Sequence, residues 1–351
     1  HPLLGKATVH TSRKAVFETT LSTTSPWTDH RVLGTTVFPG TAYLEMAARG
    51  FAAVSGQDWR SVVLKEVVFA RPLLLAYGKP KKVRLELDHA TNGKGGSKFS
   101  IAASDDPATV YCRGHIYPTS EKLDQIEMEE FSQREADMKI GPFYGELRKG
   151  GLEYGARFAN VRELWLGKPG SGEAVGRVAS APNLNGKTYD PYLNAVLLDG
   201  CLHVFGAALG TYTEGSLLEG GAFVPAKIQS ITLRGQLPAQ VWSQVKVQTN
   251  GNGRAAHANI RVLNDAGEVL VEFENLELRH TLGLSADKLS QAGGNGNGNG
   301  KVSSSLPSRS REQLIEFLRP LSKKERISEL SKWLAGEIKD TMGQAAEGLN
   351  I

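Results

Sequence analysis

The chain has 351 residues, 40% of them hydrophobic, enough for one large core or two ordinary ones. Its 41 basic and 37 acidic side chains leave a net charge of +4, too mild for a nucleic-acid surface, and no basic run is interleaved with aromatics. The two cysteines, Cys112 and Cys201, exclude a disulfide framework and a cysteine metal cluster; there is no stretch of about 18 unbroken apolar residues to cross a membrane, and "HPLLGKATVH" lacks the pattern of a signal peptide.

A cytoplasmic setting fits these features, and the missing initial methionine reads as excision from a longer chain. Residues 8–21 and 61–117 read mostly as strands. "AVFETTLS", "KKVRLELDH", "KFSIAAS" and "TVYCRGHIYP" are rich in alternating apolar and β-branched residues, with Gly, Pro or Asn turns between them. One helix interrupts them. From Thr41, Leu44, Ala47, Ala48 and Phe51 fall at helical spacing, and Glu45 and Arg49 form an i,i+4 pair on another face. Residues 119–140 are acidic with little strand character and read as a solvated connector.

The second half repeats the plan. "VRELWLG" and "EAVGRVAS" read as strands. A helix follows with Leu198, Leu202, Phe205 and Leu209 at helical spacing. "AKIQSITLRG", "VWSQVKVQTN", "AHANIRVLN" and "EVLVEFENLELRH" are again strands. The expected organisation is a first half over 1–118, a connector over 119–140, a second half over 141–285 and a flexible Gly/Asn/Ser linker over 286–310. A helical segment over 311–351, with its periodicity broken at Pro320, completes the chain.

His30, Asp199 and His203 carry the candidate chemistry. His30, Gly34 and Pro39 form the spacing H-x3-G-x4-P just ahead of the first helix. A packing histidine needs no such frame, whereas one held at a cleft does. Asp199 and His203 lie four apart in the second helix and share a face. Asp199 reads as a helix cap, as a partner of His203 only, or as an acid facing His30 across a cleft. In the last case a neutral imidazole takes a proton and a carboxylic acid gives one, which removes water from a β-hydroxy carbonyl compound. That role requires a carboxyl whose pKa a dry pocket has raised. Asp199 and His203 also have metal-ligand spacing, but no third ligand is close in sequence, so no metal is expected.

Four motifs in order resemble the dehydratase domain of modular type I polyketide synthases. "HPLLG" resembles that family's first strand, and "HRVLGTTVFPGTAYLEMA" matches its H-x3-G-x4-P motif. "GGLEYGARF", 150–158, resembles its Y-G-x-x-F segment, and "LLDGCLH", 197–203, matches its D-x3-Q/H motif. The resemblance covers about residues 1–285 and implies an α+β double hot-dog fold, two antiparallel sheets each wrapped around a long central helix. It implies His30 as base, Asp199 as acid and His203 as the residue orienting Asp199. The Gly40 N–H would polarise the thioester carbonyl, Tyr154 would bind the substrate hydroxyl, and Pro39, Val224 and Pro225 would line the site. One departure stands out. The family's L-P-F-x-W-like segment reads "FVPAKIQSI" at 223–231, keeping Pro225 but neither the Phe nor the Trp.

The implied substrate is a β-hydroxyacyl thioester on the phosphopantetheine arm of an acyl carrier protein, and the product is the α,β-unsaturated thioester. No bound cofactor is implied. The implied partners are the carrier protein, neighbouring synthase domains and a second copy in a homodimer. Segment 311–351 resembles the start of a carrier domain without its phosphopantetheine site. Four alternatives share the motifs or the fold: a double-bond-shifting isomerase, a dehydratase/cyclase, an inactive carrier-docking module and a hot-dog thioesterase.

Overall fold

In the computed structural model the chain divides into two compact units, 1–294 and 295–351. The structure describes residues 1–22, 26–89, 95–120, 124–127, 134–180, 193–212, 222–249 and 255–281. The expected linker and terminal helical segment lie outside the described residues.

The first half contains β1 (Lys6–His10), β2 (Lys14–Leu21), β3 (His30–Val32), β4 (Thr35–Thr36), α1 (Gly40–Ser55), β5 (Val62–Phe69), β6 (Lys81–His89), β7 (Ser97–Ala103) and β8 (Val110–Pro118). The second contains α2 (Ile140–Lys149), β9 (Leu152–Tyr154), β10 (Val161–Leu166), β11 (Glu173–Ala179), α3 (Leu193–Tyr212), β12 (Phe223–Leu233), β13 (Gln240–Thr249), β14 (Ala255–Leu263) and β15 (Val269–His280).

This is the double hot-dog fold. α1 packs on β5 to β8, and α3 packs on β10, β11, β13 and β14. Leu44, Ala47, Ala48 and Phe51 of α1 are buried, as are Leu198, Phe205 and Leu209 of α3. Each large apolar side chain so buried contributes about 1.5–3 kcal/mol. The stretch Asn194–Tyr212, with mean hydropathy 1.4, is long and apolar enough to cross a membrane, but it is mostly buried as the core helix of its half.

The two sheets are joined edge to edge. β5 pairs antiparallel with β12, Leu64 opposite Ile231, giving one twelve-stranded sheet in the order β1-β2-β6-β7-β8-β5-β12-β15-β14-β13-β11-β10. α1 and α3 also pack against each other. A second sheet of three strands, β4-β3-β9, takes one hairpin from the first half and one strand from the second. It carries His30.

Of the acidic segment between the halves, the described stretches 124–127 and 134–140 meet the β10, β11, β13, β14 and β15 part of the twelve-stranded sheet. Ile126 and Ala136 pack on a cluster of Trp165, Val175, Trp242, Leu263 and Val269. The Ile126 N–H donates to the Gly267 carbonyl at 2.9 Å, and the Trp165 indole N–H donates to the Arg134 carbonyl at 2.9 Å.

Candidate active site

The frame around His30 is a hairpin. β3 and β4 pair Arg31 with Thr36 and Val32 with Thr35, leaving Leu33 and Gly34 as a two-residue turn. Both have positive φ, 50° and 75°, the pattern of a type I′ turn, in which the second position favours glycine. The hairpin folds the chain back so that Val37 meets His30. The Val37 N–H donates to the His30 carbonyl at 3.1 Å, and His30 Nδ1 lies 2.8 Å from the Val37 carbonyl. A carbonyl only accepts, so Nδ1 carries a proton, and in the neutral ring Nε2 presents its lone pair. Pro39 then caps α1 in an extended conformation, and Gly40 begins the helix. Its N–H is among the first four of the helix, which have no intrahelical acceptor.

The Y-G-x-x-F segment docks beside this hairpin. β9 pairs with β3, Tyr154 opposite His30. The Gly155 N–H donates to the Asp29 carbonyl at 2.8 Å, and the Arg157 N–H donates to the Asp29 carboxylate at 3.0 Å. A Cβ on Gly155 would sit 2.4 Å from the Asp29 carboxyl carbon, so only glycine permits this approach. The Phe158 ring meets the His30 ring edge-on at 5.2 Å, and the Tyr154 ring lies 5.6 Å from it.

α3 brings the acid. Asp199 Oδ2 lies 3.7 Å from His30 Nε2 and 3.0 Å from His203 Nε2, and all three side chains are buried. Tyr154 lies over the His203 ring with centroids 3.8 Å apart. Burial holds its hydroxyl well above the ordinary 10, and the Asp199 charge adds to the effect, so Tyr154 remains a donor. His30, Tyr154, Asp199 and His203 therefore converge. Pro39 and Gly40 lead into α1 next to His30's hairpin. Val224 and Pro225 lie at the start of β12, opposite Arg279 and Leu278 of β15; the strand meets α3 through Phe223, whose ring lies 5.6 Å from Phe205.

The expected raised pKa of Asp199 is corrected by this geometry. Burial is the largest influence and pushes it up. The charge of His30, the hydrogen bond from His203 and the nearby Thr41 together outweigh burial, so Asp199 is held below its ordinary 3.8. His203 is held below 6.5, chiefly by burial, and is neutral near pH 7. The chemistry available is a bare imidazole nitrogen and a carboxyl group, close enough to share one proton in a site walled by aromatic rings.

Both shifts weaken the fold in acid. Below 6.5 the unfolded chain protonates His203 more readily than the folded one does, so stability falls as pH drops through that value. The contribution of Asp199 is present above 3.8 and is lost as pH falls through its lower folded value. The melting temperature is expected to decline from about pH 7 to about pH 5, with a flatter decline in His203→Gln.

Three neighbours of the site have contacts that escape a reading by local pattern. Tyr144 on α2 touches His203, with its hydroxyl 3.3 Å from Nδ1. Thr41 is buried beside Asp199. Glu45 does pair with Arg49, at 3.3 Å, but it is buried and also accepts the Ala195 N–H of α3's first turn at 3.1 Å. Asp199 lies one turn further along the same helix. Glu45→Ala leaves that N–H and Arg49 without their partner, and a loss of about 1–3 kcal/mol is expected in urea unfolding.

Comparison with known proteins gives a consistent picture. Residues 1–104 match the family described as polyketide synthase dehydratase domain, and residues 127–285 match the polyketide synthase dehydratase N-terminal domain. Polyketide synthase PksM of Bacillus subtilis (strain 168) is 23% identical over 294 residues, covering 80% of this chain and 7% of that protein. This chain thus spans a small part of that relative's length. The dehydratase domain from the CurF module of curacin polyketide synthase is 27% identical with a TM-score of 0.68, covering 80% of this chain and 99% of that domain. The CurK dehydratase domain is 26% identical with a TM-score of 0.68, covering 82% and 99%. Variants of the CurK dehydratase with a histidine changed to phenylalanine and an aspartate changed to asparagine are described as inactive.

Proposed function

This chain belongs to the polyketide synthase dehydratase family, hydro-lyases of polyketide assembly, and from that premise we propose that His30 and Asp199 are its base and acid. His30 Nε2 takes the α-proton of a β-hydroxyacyl thioester, the C=C bond forms, and the C–O bond breaks as Asp199 protonates the departing hydroxyl. The α-proton is acidified by the thioester, and the hydroxyl leaves only as water. The pair ends as imidazolium and carboxylate. The proton then crosses from Nε2 to Oδ2, 3.7 Å apart, and restores the starting state.

A lowered pKa makes Asp199 a carboxylate, so acting as the acid requires it to take up a proton as the acyl chain enters. An acyl chain that displaces water strengthens the burial that raises the pKa of Asp199. The Gly40 N–H polarises the thioester carbonyl, the Tyr154 hydroxyl binds the substrate hydroxyl, and His203 orients Asp199. Pro39, Val224 and Pro225 line the path of the acyl chain.

The substrate is carried on the phosphopantetheine arm of an acyl carrier protein. The chain works beside neighbouring synthase domains and pairs with a second copy of itself. Its halves run over 1–118 and 141–285, with the connector at 119–140, and the linker and helical segment follow at 286–310 and 311–351. The observation that carries the reading is the approach of Nε2 to Asp199 with Nδ1 already committed to Val37. Inactivity of the CurK variants lacking one histidine or one aspartate supports it. The test is intact mass of a carrier protein bearing a 3-hydroxyacyl chain. Loss of one water with the acyl group retained supports the dehydratase, unchanged mass favours an isomerase, cyclase or docking module, and loss of the whole acyl group favours a thioesterase.

A further inference from the structure

We propose that Tyr144 is a positioning residue for this reaction: its hydroxyl sets the tautomer of His203, and His203 in that tautomer presents an N–H to the carboxyl of Asp199. The proposal rests on the assignment of Asp199 as the acid and extends it to a residue that touches neither substrate nor reacting atoms.

The direction of each hydrogen bond follows from what each group has to offer. Tyr144 lies on α2, anchored by the buried Phe143 and Leu147. Its oxygen accepts the backbone N–H of Val161, the first residue of β10, at 3.0 Å. A backbone N–H only donates, so the one proton of the phenol is left for another acceptor. His203 Nδ1 lies 3.3 Å from that oxygen. An Nδ1 that accepts carries no proton, so a neutral imidazole then holds its proton on Nε2. Nε2 lies 3.0 Å from Asp199 Oδ2. The relay runs one way, from Val161 N–H to Tyr144, to His203, to Asp199.

The surroundings keep it so. Burial holds His203 neutral and keeps the Tyr144 phenol protonated. The Tyr154 ring lies across the face of His203 at 3.8 Å, and Tyr144 meets its edge at 5.9 Å and 89°. The imidazole is therefore clamped between two phenol rings and held against rotation.

The opposite tautomer would be costly for catalysis. With the proton on Nδ1, Nε2 would turn a lone pair toward Asp199. The carboxyl proton would then be held in a bond to His203, away from the substrate hydroxyl. A glutamine in place of His203 has no such choice to make, since its amide always carries both a donor and an acceptor. Dependence on Tyr144 should fall when residue 203 is glutamine.

The test combines spectroscopy and kinetics on the full chain labelled with nitrogen-15 histidine. The His203 signals are those missing from His203→Gln. In the wild type a protonated Nε2 and a bare Nδ1 are expected near neutral pH, and in Tyr144→Phe the proton moves wholly or partly to Nδ1. Tyr144→Phe is expected to lower kcat on a 3-hydroxyacyl carrier protein roughly 10- to 100-fold, the scale seen when a partner that orients a reacting group is lost, with KM changed by less than about twofold. In the His203→Gln background the same change is expected to cost less than about threefold. A wild-type proton on Nδ1, an unmoved tautomer in Tyr144→Phe, or an equal loss in both backgrounds would overturn the proposal. The wild-type spectrum decides even if Tyr144→Phe fails to fold. If the wild type makes no enoyl product while its spectrum shows protonated Nε2, the assignment of the reaction fails and the relay stands.

Discussion

Changing His30 to asparagine is expected to lower dehydration by about 10²- to 10⁴-fold, the contribution of a positioned general base. Asparagine is the informative choice. Its amide nitrogen sits near the position of Nδ1 and keeps a donor toward the Val37 carbonyl, so the hairpin retains the 2.8 Å contact that holds it. What disappears is Nε2, the atom facing Asp199 at 3.7 Å. Alanine would remove both and mix a structural loss with a chemical one. Melting temperature and turnover, measured on the same sample, separate the two. A variant that folds and still dehydrates at the wild-type rate would remove His30 from the reaction.

Asp199→Asn is expected to cost a similar factor, about 10²- to 10⁴-fold, for a different reason. The amide matches the carboxyl in shape, and its oxygen still accepts from His203 Nε2. It has no proton of adequate acidity to give to a leaving hydroxyl. Its NH2 also turns toward the lone pair of His30 and occupies the base. If the two groups act on one substrate as a unit, as proposed, the double variant is little worse than either single one. Additive losses would indicate two independent contributions instead.

The sequence makes the long elements and the motif frame legible. β6 runs over Lys81–His89, where alternation places a strand, and α1 and α3 bury the residues whose spacing marks them, Leu202 only partly. Short elements are harder. β3, β4 and β9 have three, two and three residues, too few for a period to emerge, yet together they hold His30 against Tyr154. α2 lies hidden in "IGPFYGELRK", where two glycines lower helix propensity. Pro142 in its first turn and the i,i+4 pair Phe143 and Leu147 are the signals that would have revealed it, and Tyr144 with it.

Long-range partners are the other source of difference. Glu45 and Arg49 read locally as an i,i+4 pair on another face of the helix, but the second partner of Glu45 is the N–H of Ala195, 150 residues away. The seam between β5 and β12 likewise joins halves that no local pattern connects. Asp199 reads as a carboxyl raised by a dry pocket because burial follows from an apolar helix. The two imidazoles that reverse the shift stand at His203, which is visible four residues away, and at His30, which only the folded chain brings near.

The roles of His30 and Asp199 are tested with a carrier protein bearing a 3-hydroxyacyl chain with both α-hydrogens replaced by deuterium. Intact mass is followed through a single turnover. If His30 takes the α-hydrogen and Asp199 protonates the departing hydroxyl, the product has lost the hydroxyl and one deuterium and keeps the other, and His30→Asn leaves the chain unchanged. A product that has lost water but kept both deuteriums would place the double bond elsewhere and contradict the claim, as would equal deuterium loss in His30→Asn.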